Sequence, residues 1–145
     1  MKNAVLELLE SRGIKIKDII KLTECLKIDS TDADDIEQSI LNILSIKEIQ
    51  DYITLGVILD IYTENNLLPE PLSQIISGND QLFDLDKVLA TGVINQFGPQ
   101  AVTYFSYLIN YKNDVLKDIL YKNNINTFLD EIICVIASAS LIKLL

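Results

Sequence analysis

Residues 126–145, NTFLDEIICVIASASLIKLL, decide the fold, because two adjacent carboxylates there precede eleven residues without a charge. The carboxylates belong to Asp130 and Glu131, and the residues after them are apolar on almost every side of a helix. A helix that is apolar all round is buried in the interior of a protein. The sequence therefore predicts a buried C-terminal helix that begins with a doubly acidic turn.

The remainder of the chain predicts an all-α fold. Apolar residues recur at spacings of three and four rather than two, which is the pattern of helices. Turn and cap signals divide the chain into about eight helices. We expect Ser45 and Glu48 to form a capping box for the long fourth helix, and Thr127 to cap the last one. With 145 residues and 49% hydrophobic content, a single compact domain over residues 1–145 is predicted.

Charge and composition exclude several classes of protein. The balance of 21 acidic and 12 basic residues gives a net charge of −9, which argues against nucleic acid or an anionic membrane surface as a general partner. Residues 88–111 carry no charge, but their NQFGPQ centre interrupts the run, so no transmembrane segment is expected. Cys25 and Cys134 are interpreted as reduced core thiols. We expect a cytoplasmic protein that is at most peripheral to a membrane.

The absence of histidine leaves carboxylates as the candidate functional groups, because histidine-based nucleophile pairs and histidine-bound zinc are excluded. Asp60, in YITLGVILDIY, continues an apolar helical stripe and is predicted to be buried. Residues 48–86 hold eight acids and no base, and the single arginine, Arg12, is remote in sequence. Two interpretations of Asp60 carry equal weight: a protonated or hydrogen-bonded aspartate, and a ligand of a divalent cation. Glu64, four residues later on the same face, favours the cation.

The other acidic residues have simpler structural explanations when each is taken alone. Glu70 lies between two prolines and is explained as an exposed turn residue. Asp130 and Glu131 gain from the positive end of a helix dipole, but adjacent helical residues point about 100° apart, so one of the two should face inward. Three more acids stand where they would satisfy free backbone N–H groups of the sixth helix, namely Asp80, Asp84 and Asp86.

Three segments carry a resemblance to a known family. They are SIKEIQDYITLGVILDIYTENNLLPEPLSQII, LFDLDKVLATGVINQFGPQAVTYFSYL and NTFLDEIICVIASAS. On these segments the chain resembles the soluble bacterial branch of the phosphatidylglycerophosphatase A-like family. The resemblance implies an all-α fold with a carboxylate-rich phosphatase site that uses Mg²⁺ or Mn²⁺. The metal-binding acids that it implies are Asp60, Glu70, Asp86, Asp130 and Glu131.

The first functional hypothesis is therefore an enzyme in which Asp60, Asp130 and Glu131 are catalytic. Its substrate is phosphatidylglycerophosphate or a related phosphomonoester, which means a phosphorylated lipid or a small phosphorylated molecule. The cation stabilises charge in the transition state, and one carboxylate acts as a base.

The second hypothesis is a non-catalytic helical module that binds a partner or dimerises. A tyrosine stripe on the seventh helix is its candidate homodimer contact, although such stripes are more often plain core. The stripe consists of Tyr104, Tyr107 and Tyr111.

Overall fold

The computed structural model describes residues 2–26, 33–77, 85–111, 113–120 and 125–144, and over these ranges the chain forms nine α-helices and no strand. The helices are α1 (Lys2–Ser11), α2 (Ile16–Glu24), α3 (Ala33–Ile43), α4 (Lys47–Glu64), α5 (Leu72–Ile76), α6 (Leu85–Ile94), α7 (Pro99–Tyr111), α8 (Asn113–Leu120) and α9 (Thr127–Leu144). A short 3₁₀ turn, Asn95–Phe97, joins α6 to α7. The all-α prediction is confirmed.

Helix α9 lies at the centre of the molecule. It packs against α2, α3, α4, α6 and α7. Every residue from 131 to 141 is buried, as the apolar run predicted. The acidic first turn of α9 is therefore held by a rigid core element.

Helix α4 makes an unusually close approach to α9 at Gly56. A Cβ atom on Gly56 would lie 2.6 Å from Cδ1 of Ile132 and 3.0 Å from Cβ of Phe128. Non-bonded carbon atoms prefer separations of about 3.5 to 4.0 Å, so a methyl group here would clash with Ile132 and crowd Phe128. Glycine therefore fixes the distance between the two helices that carry Asp60 and the acidic pair.

Two predicted helix caps are wrong. Ile46, not Ser45, is the N-cap residue of α4 and makes no side-chain cap bond; the Ser45 hydroxyl instead donates to the Leu41 carbonyl at the end of α3, at 2.9 Å. The Thr127 hydroxyl donates to the carbonyl of Ile76. Each hydroxyl donates to a carbonyl group that lies close to it in the fold. The first turn of α9 is capped instead by a residue of another helix, far away in the sequence.

One buried arginine ties three parts of the chain together. Arg12, just after α1, is 6% exposed. Its Nη1 donates to Oε2 of Glu64 at 2.7 Å, and its Nη2 donates to the Ile125 carbonyl at 2.6 Å. The fold thus brings to Glu64 the base that the sequence places 52 residues away.

No helix within the described ranges combines the length and the apolar character needed to traverse a bilayer.

Candidate functional site

Asp60 caps the N-terminus of α9. It is fully buried, as predicted. Its carboxylate accepts hydrogen bonds from the backbone N–H of Phe128, at 3.1 Å, and from that of Leu129, at 3.0 Å. Burial raises the pKa of Asp60 to about 7, although these two bonds and the Arg12 guanidinium act in the opposite direction. Of the two interpretations of Asp60, this geometry favours the hydrogen-bonded aspartate, because both of its oxygens already serve the helix.

Glu131, one turn further along α9, has no such backbone partners within the described ranges. Its side chain is 4% exposed, and its buried Oε2 atom accepts no hydrogen bond from the described residues. Burial raises the pKa of Glu131 to about 9, helped by the charge of Asp86 and by a hydrogen bond between the two carboxyls. Two carboxyl groups can share a hydrogen bond only when one of them keeps its proton. Because Glu131 is buried and Asp130 is only half-buried, Glu131 is the inward-facing member of the acidic pair.

Asp86 and Asp130 complete an acidic cluster with Glu131. Asp86 lies in the first turn of α6, Asp130 in the first turn of α9, and both are half-buried. Burial and the charge of Asp86 raise the pKa of Asp130 to about 6. Lys87 is exposed and is the base that lowers the pKa of Glu131. We call Asp86, Asp130 and Glu131 the acidic cluster.

Tyr52 and Cys134 border the inner side of the acidic cluster. Tyr52 is 6% exposed, and its hydroxyl is buried without a hydrogen-bond partner among the described residues. Burial and then the charges of Glu131 and Asp86 raise the pKa of Tyr52. Burial and then Glu131 also raise the pKa of the Cys134 thiol. The sequence did not identify Tyr52 as a functional residue. Tyr52 lies on the buried face of α4, eight residues before Asp60, but other residues share that face, so its position alone did not distinguish it.

Not all the acids named from the sequence come together. Glu70 is exposed, and its Oε2 accepts a bond from the backbone N–H of Gln74 at 3.3 Å. It lines a polar pocket together with Glu64, whose carboxylate pairs with Arg12. Asp80 and Asp84 lie outside the described residues. Glu64 therefore gives no support to a metal ion beside Asp60, because Arg12 supplies its counter-charge.

The acidic cluster has some but not all of the features of a metal site. Among the described residues, no three Asp, Glu or Cys side chains are arranged to enclose one ion. Mg²⁺, however, commonly binds through one or two protein carboxylates and keeps water or substrate oxygens at its other positions. The neighbouring carboxyls of Asp86 and Glu131 fit that open type of site, since the buried Oε2 of Glu131 has no hydrogen-bond partner in the part of the chain that the structure describes.

Comparison with known proteins finds relatives that align with most of the chain. Over 137 residues the chain is 30% identical to the uncharacterized protein YutG of Bacillus subtilis (strain 168), covering 91% of this chain and 82% of YutG. It is 28% identical over 138 residues to the uncharacterized protein YpjQ of the same organism, covering 92% of this chain and 78% of YpjQ. No family model matches the chain.

Solved structures of similar proteins share the fold of this chain. The crystal structure of Bacillus subtilis YpjQ, which carries the family designation DUF64, superimposes with a TM-score of 0.88 at 26% identity, covering 99% of this chain and 91% of that one. The low temperature requirement C protein from Listeria monocytogenes superimposes with a TM-score of 0.85 at 29% identity, covering 99% and 93% of the two chains.

The predicted resemblance to the phosphatidylglycerophosphatase A-like family is wrong, because the relatives found are YpjQ and YutG, whose names state no activity. The short motifs that suggested it have local structural causes. LLPEPL forms the turn before α5, and TFLDE forms the acidic first turn of α9. Glu70, which was a candidate ligand on that resemblance alone, loses its support, whereas the acidic cluster rests on its own geometry.

Proposed function

The chain belongs to the family of Bacillus subtilis YutG, and from its acidic cluster we propose that it is a divalent-cation-dependent phosphomonoester hydrolase. Glu131 carries this proposal. It is a nearly fully buried carboxyl, it faces a second carboxyl on another helix, and its Oε2 atom has no hydrogen-bond partner among the described residues. Burial makes the ionised form of such a carboxyl group unfavourable unless a proton or a cation neutralises it.

The electrostatics of the acidic cluster support a cation. Three ionised carboxylates in a poorly solvated place repel one another, and one exposed lysine offsets only part of that repulsion. Burial first, and the charge of Asp86 second, raise the pKa of Asp130 to about 6 and that of Glu131 to about 9, so protons neutralise these carboxyls in the free protein. A divalent cation relieves the repulsion more completely near neutral pH, because it offsets two carboxylates at once. Mg²⁺ and Mn²⁺ are the ions that prefer such oxygen ligands.

Each residue of the acidic cluster has a distinct role in the proposal. Asp86 and Glu131 hold the ion from two helices. Asp130 is half-buried, and its pKa of about 6 lies close enough to neutrality for it to accept a proton from an attacking water. Asp60 orients the acidic turn by capping α9.

A phosphomonoester is the substrate class that best suits this arrangement. A cation held by only two carboxylates keeps positions free for phosphate oxygens, and Lys87 beside Asp86 adds a second positive charge for a phosphate dianion. The N-terminal turns of α6 and α9 also direct partial positive charge toward the acidic cluster. When bound, Mg²⁺ stabilises the negative charge that develops on the phosphoryl oxygens.

The test measures cation binding and turnover in the same set of variants. We expect calorimetry at pH 8 to detect binding of Mg²⁺ or Mn²⁺ to the wild type and to Glu70→Gln, and little or none to Glu131→Gln. Phosphate release from p-nitrophenyl phosphate should require the cation and stop with EDTA. If neither ion binds the wild type, the proposed site is wrong.

Asp130→Asn separates binding from chemistry. Because Asp130 acts as the base and not as a principal ligand, the variant should still bind the cation but lose about 10²-fold or more in turnover. A wild type that binds the cation but releases no phosphate from any phosphomonoester would retain the ion site and contradict the hydrolase.

A further inference from the structure

Helix α4 has a second apolar face that points away from the core. Its inner face packs on α9, whereas Leu55 is 52% exposed, Ile58 is 37% exposed and Tyr62 is 44% exposed. Together with Asp51 and Thr54, the two aliphatic residues border a shallow apolar depression of about 460 Å³. The outer side of a surface helix is normally polar. This outer side departs from that pattern.

The spacing of these residues confines them to one stripe. Asp51, Leu55, Ile58 and Tyr62 follow one another at intervals of four, three and four, so they share a single side of the helix. The buried residues of α4, such as Ile53 and Asp60, lie on the opposite side. We call Asp51, Leu55, Ile58 and Tyr62 the outer stripe.

We propose that the outer stripe joins two copies of this chain, with α4 of one copy antiparallel to α4 of the other. With the two-fold axis between Leu55 and Ile58, each of these residues packs on the other in the second copy. The same register brings Asp51 to the Tyr62 hydroxyl of the second copy, which can donate a hydrogen bond to it.

Charge favours this orientation and this occupant. Lys47 pairs with Asp51 at 2.6 Å on the same side of α4, and antiparallel packing places it near the negative C-terminal end of the other α4. Parallel packing would instead stack Asp51 on Asp51, which costs free energy through like-charge repulsion. An anionic membrane surface is disfavoured as the occupant by the net charge of −9.

The size of the outer stripe indicates a weak dimer. From Asp51 to Tyr62 the helix rises about 16 Å, at about 1.5 Å per residue. A single helix pair of this length buries less than the roughly 800 Å² per partner of a typical stable interface. The association should therefore depend on protein concentration. Tyr104 and Tyr107 of the predicted tyrosine stripe are half-buried on α7, and the side chain of Tyr111 lies outside the described residues.

Sedimentation velocity at micromolar to millimolar protein concentration tests the dimer. The wild type should shift from monomer to dimer, and Leu55→Glu should weaken the association by about 100-fold or more, because the contact would bury an unpaired charge. Val88→Glu is the matched control, since Val88 is 66% exposed on α6 and lies outside the outer stripe. A wild type that stays monomeric throughout, or equal loss of dimer in the two variants, would overturn the proposal.

Disulfide trapping tests the orientation, with Cys25 replaced by serine to remove the partly exposed native thiol. In an antiparallel dimer, Asp51→Cys and Tyr62→Cys chains should cross-link to each other when mixed and oxidised. Neither should cross-link efficiently to itself. Dominant self-linking of Asp51→Cys would contradict the antiparallel pairing.

Discussion

Glu131 is the residue at which burial and charge conflict most strongly. Its folded pKa of about 9 lies above the ordinary value of 4.5, so between these pH values the folded protein holds a proton that the unfolded chain has released. The stabilising effect of that proton is complete below the ordinary pKa and is lost as pH rises through the window. Without a cation, the free energy of unfolding should therefore fall as pH rises toward 9.

Glu131→Gln should remove this part of the pH dependence. In EDTA the stability of the variant relative to the wild type should increase from pH 5 to pH 8, because the amide of the variant cannot ionise. Urea unfolding at both pH values measures the difference, and Glu70→Gln, an exposed substitution, should show no such gain. A variant that loses stability relative to wild type as pH rises would show that ionised Glu131 is favourably paired.

Asp60 is the second residue whose carboxyl decides a local structure. Asp60→Ala leaves the buried N–H groups of Phe128 and Leu129 without their acceptor, which should cost about 1 to 3 kcal/mol of folding free energy. Asp60→Asn keeps one acceptor oxygen and should cost less. Equal losses in the two variants, measured by urea unfolding, would mean that the cap bonds contribute little.

At the scale of the helices, the crossing of α4 and α9 depends on Gly56. Gly56→Ala should destabilise the fold by about 1 to 3 kcal/mol, because its methyl group meets Ile132 and Phe128. Gly92→Ala on α6 is a matched control with no atom within 4 Å of the added Cβ, and it should gain about 0.5 to 1 kcal/mol from helix propensity. Thermal melts of both variants check the contrast. Equal effects would show that the crossing tolerates a methyl group.

The buried helices were predictable from sequence because their signal is local. The uncharged run after Glu131 allowed no solvated face, and the apolar stripe that includes Asp60 fixed its burial. The cap of α9 was not predictable, since Asp60 reaches Phe128 across 68 residues. Ser45 and Thr127 matched local cap patterns, but nearby carbonyl groups engaged their hydroxyls instead.

At the scale of the whole molecule, Arg12 links α1, α4 and the segment before α9. Arg12→Gln should cost about 3 kcal/mol, because the exchange leaves Glu64 without its counter-charge in a partly buried place. Lys47→Gln, which removes an exposed ion pair of the same formal kind, should cost less than about 1 kcal/mol. Urea unfolding of both variants measures the two costs, and similar losses would contradict a special role for Arg12.

The acidic cluster could be predicted only in part. Sequence alone indicated that one of Asp130 and Glu131 must face inward. It could not show that α6 delivers Asp86 to Glu131, or that Arg12 reaches Glu64, because both depend on how distant helices pack. The family resemblance failed for a related reason: a proline turn and an acidic helix start recur wherever those local structures form.

The most direct test of the central claim is an anomalous difference map from a crystal soaked in Mn²⁺ at pH 8. We predict a peak bounded by the carboxyl groups of Asp86 and Glu131, and no such peak in the Glu131→Gln variant. A peak found only elsewhere, for example beside Glu64 and Glu70, or no peak at all, would contradict the claim.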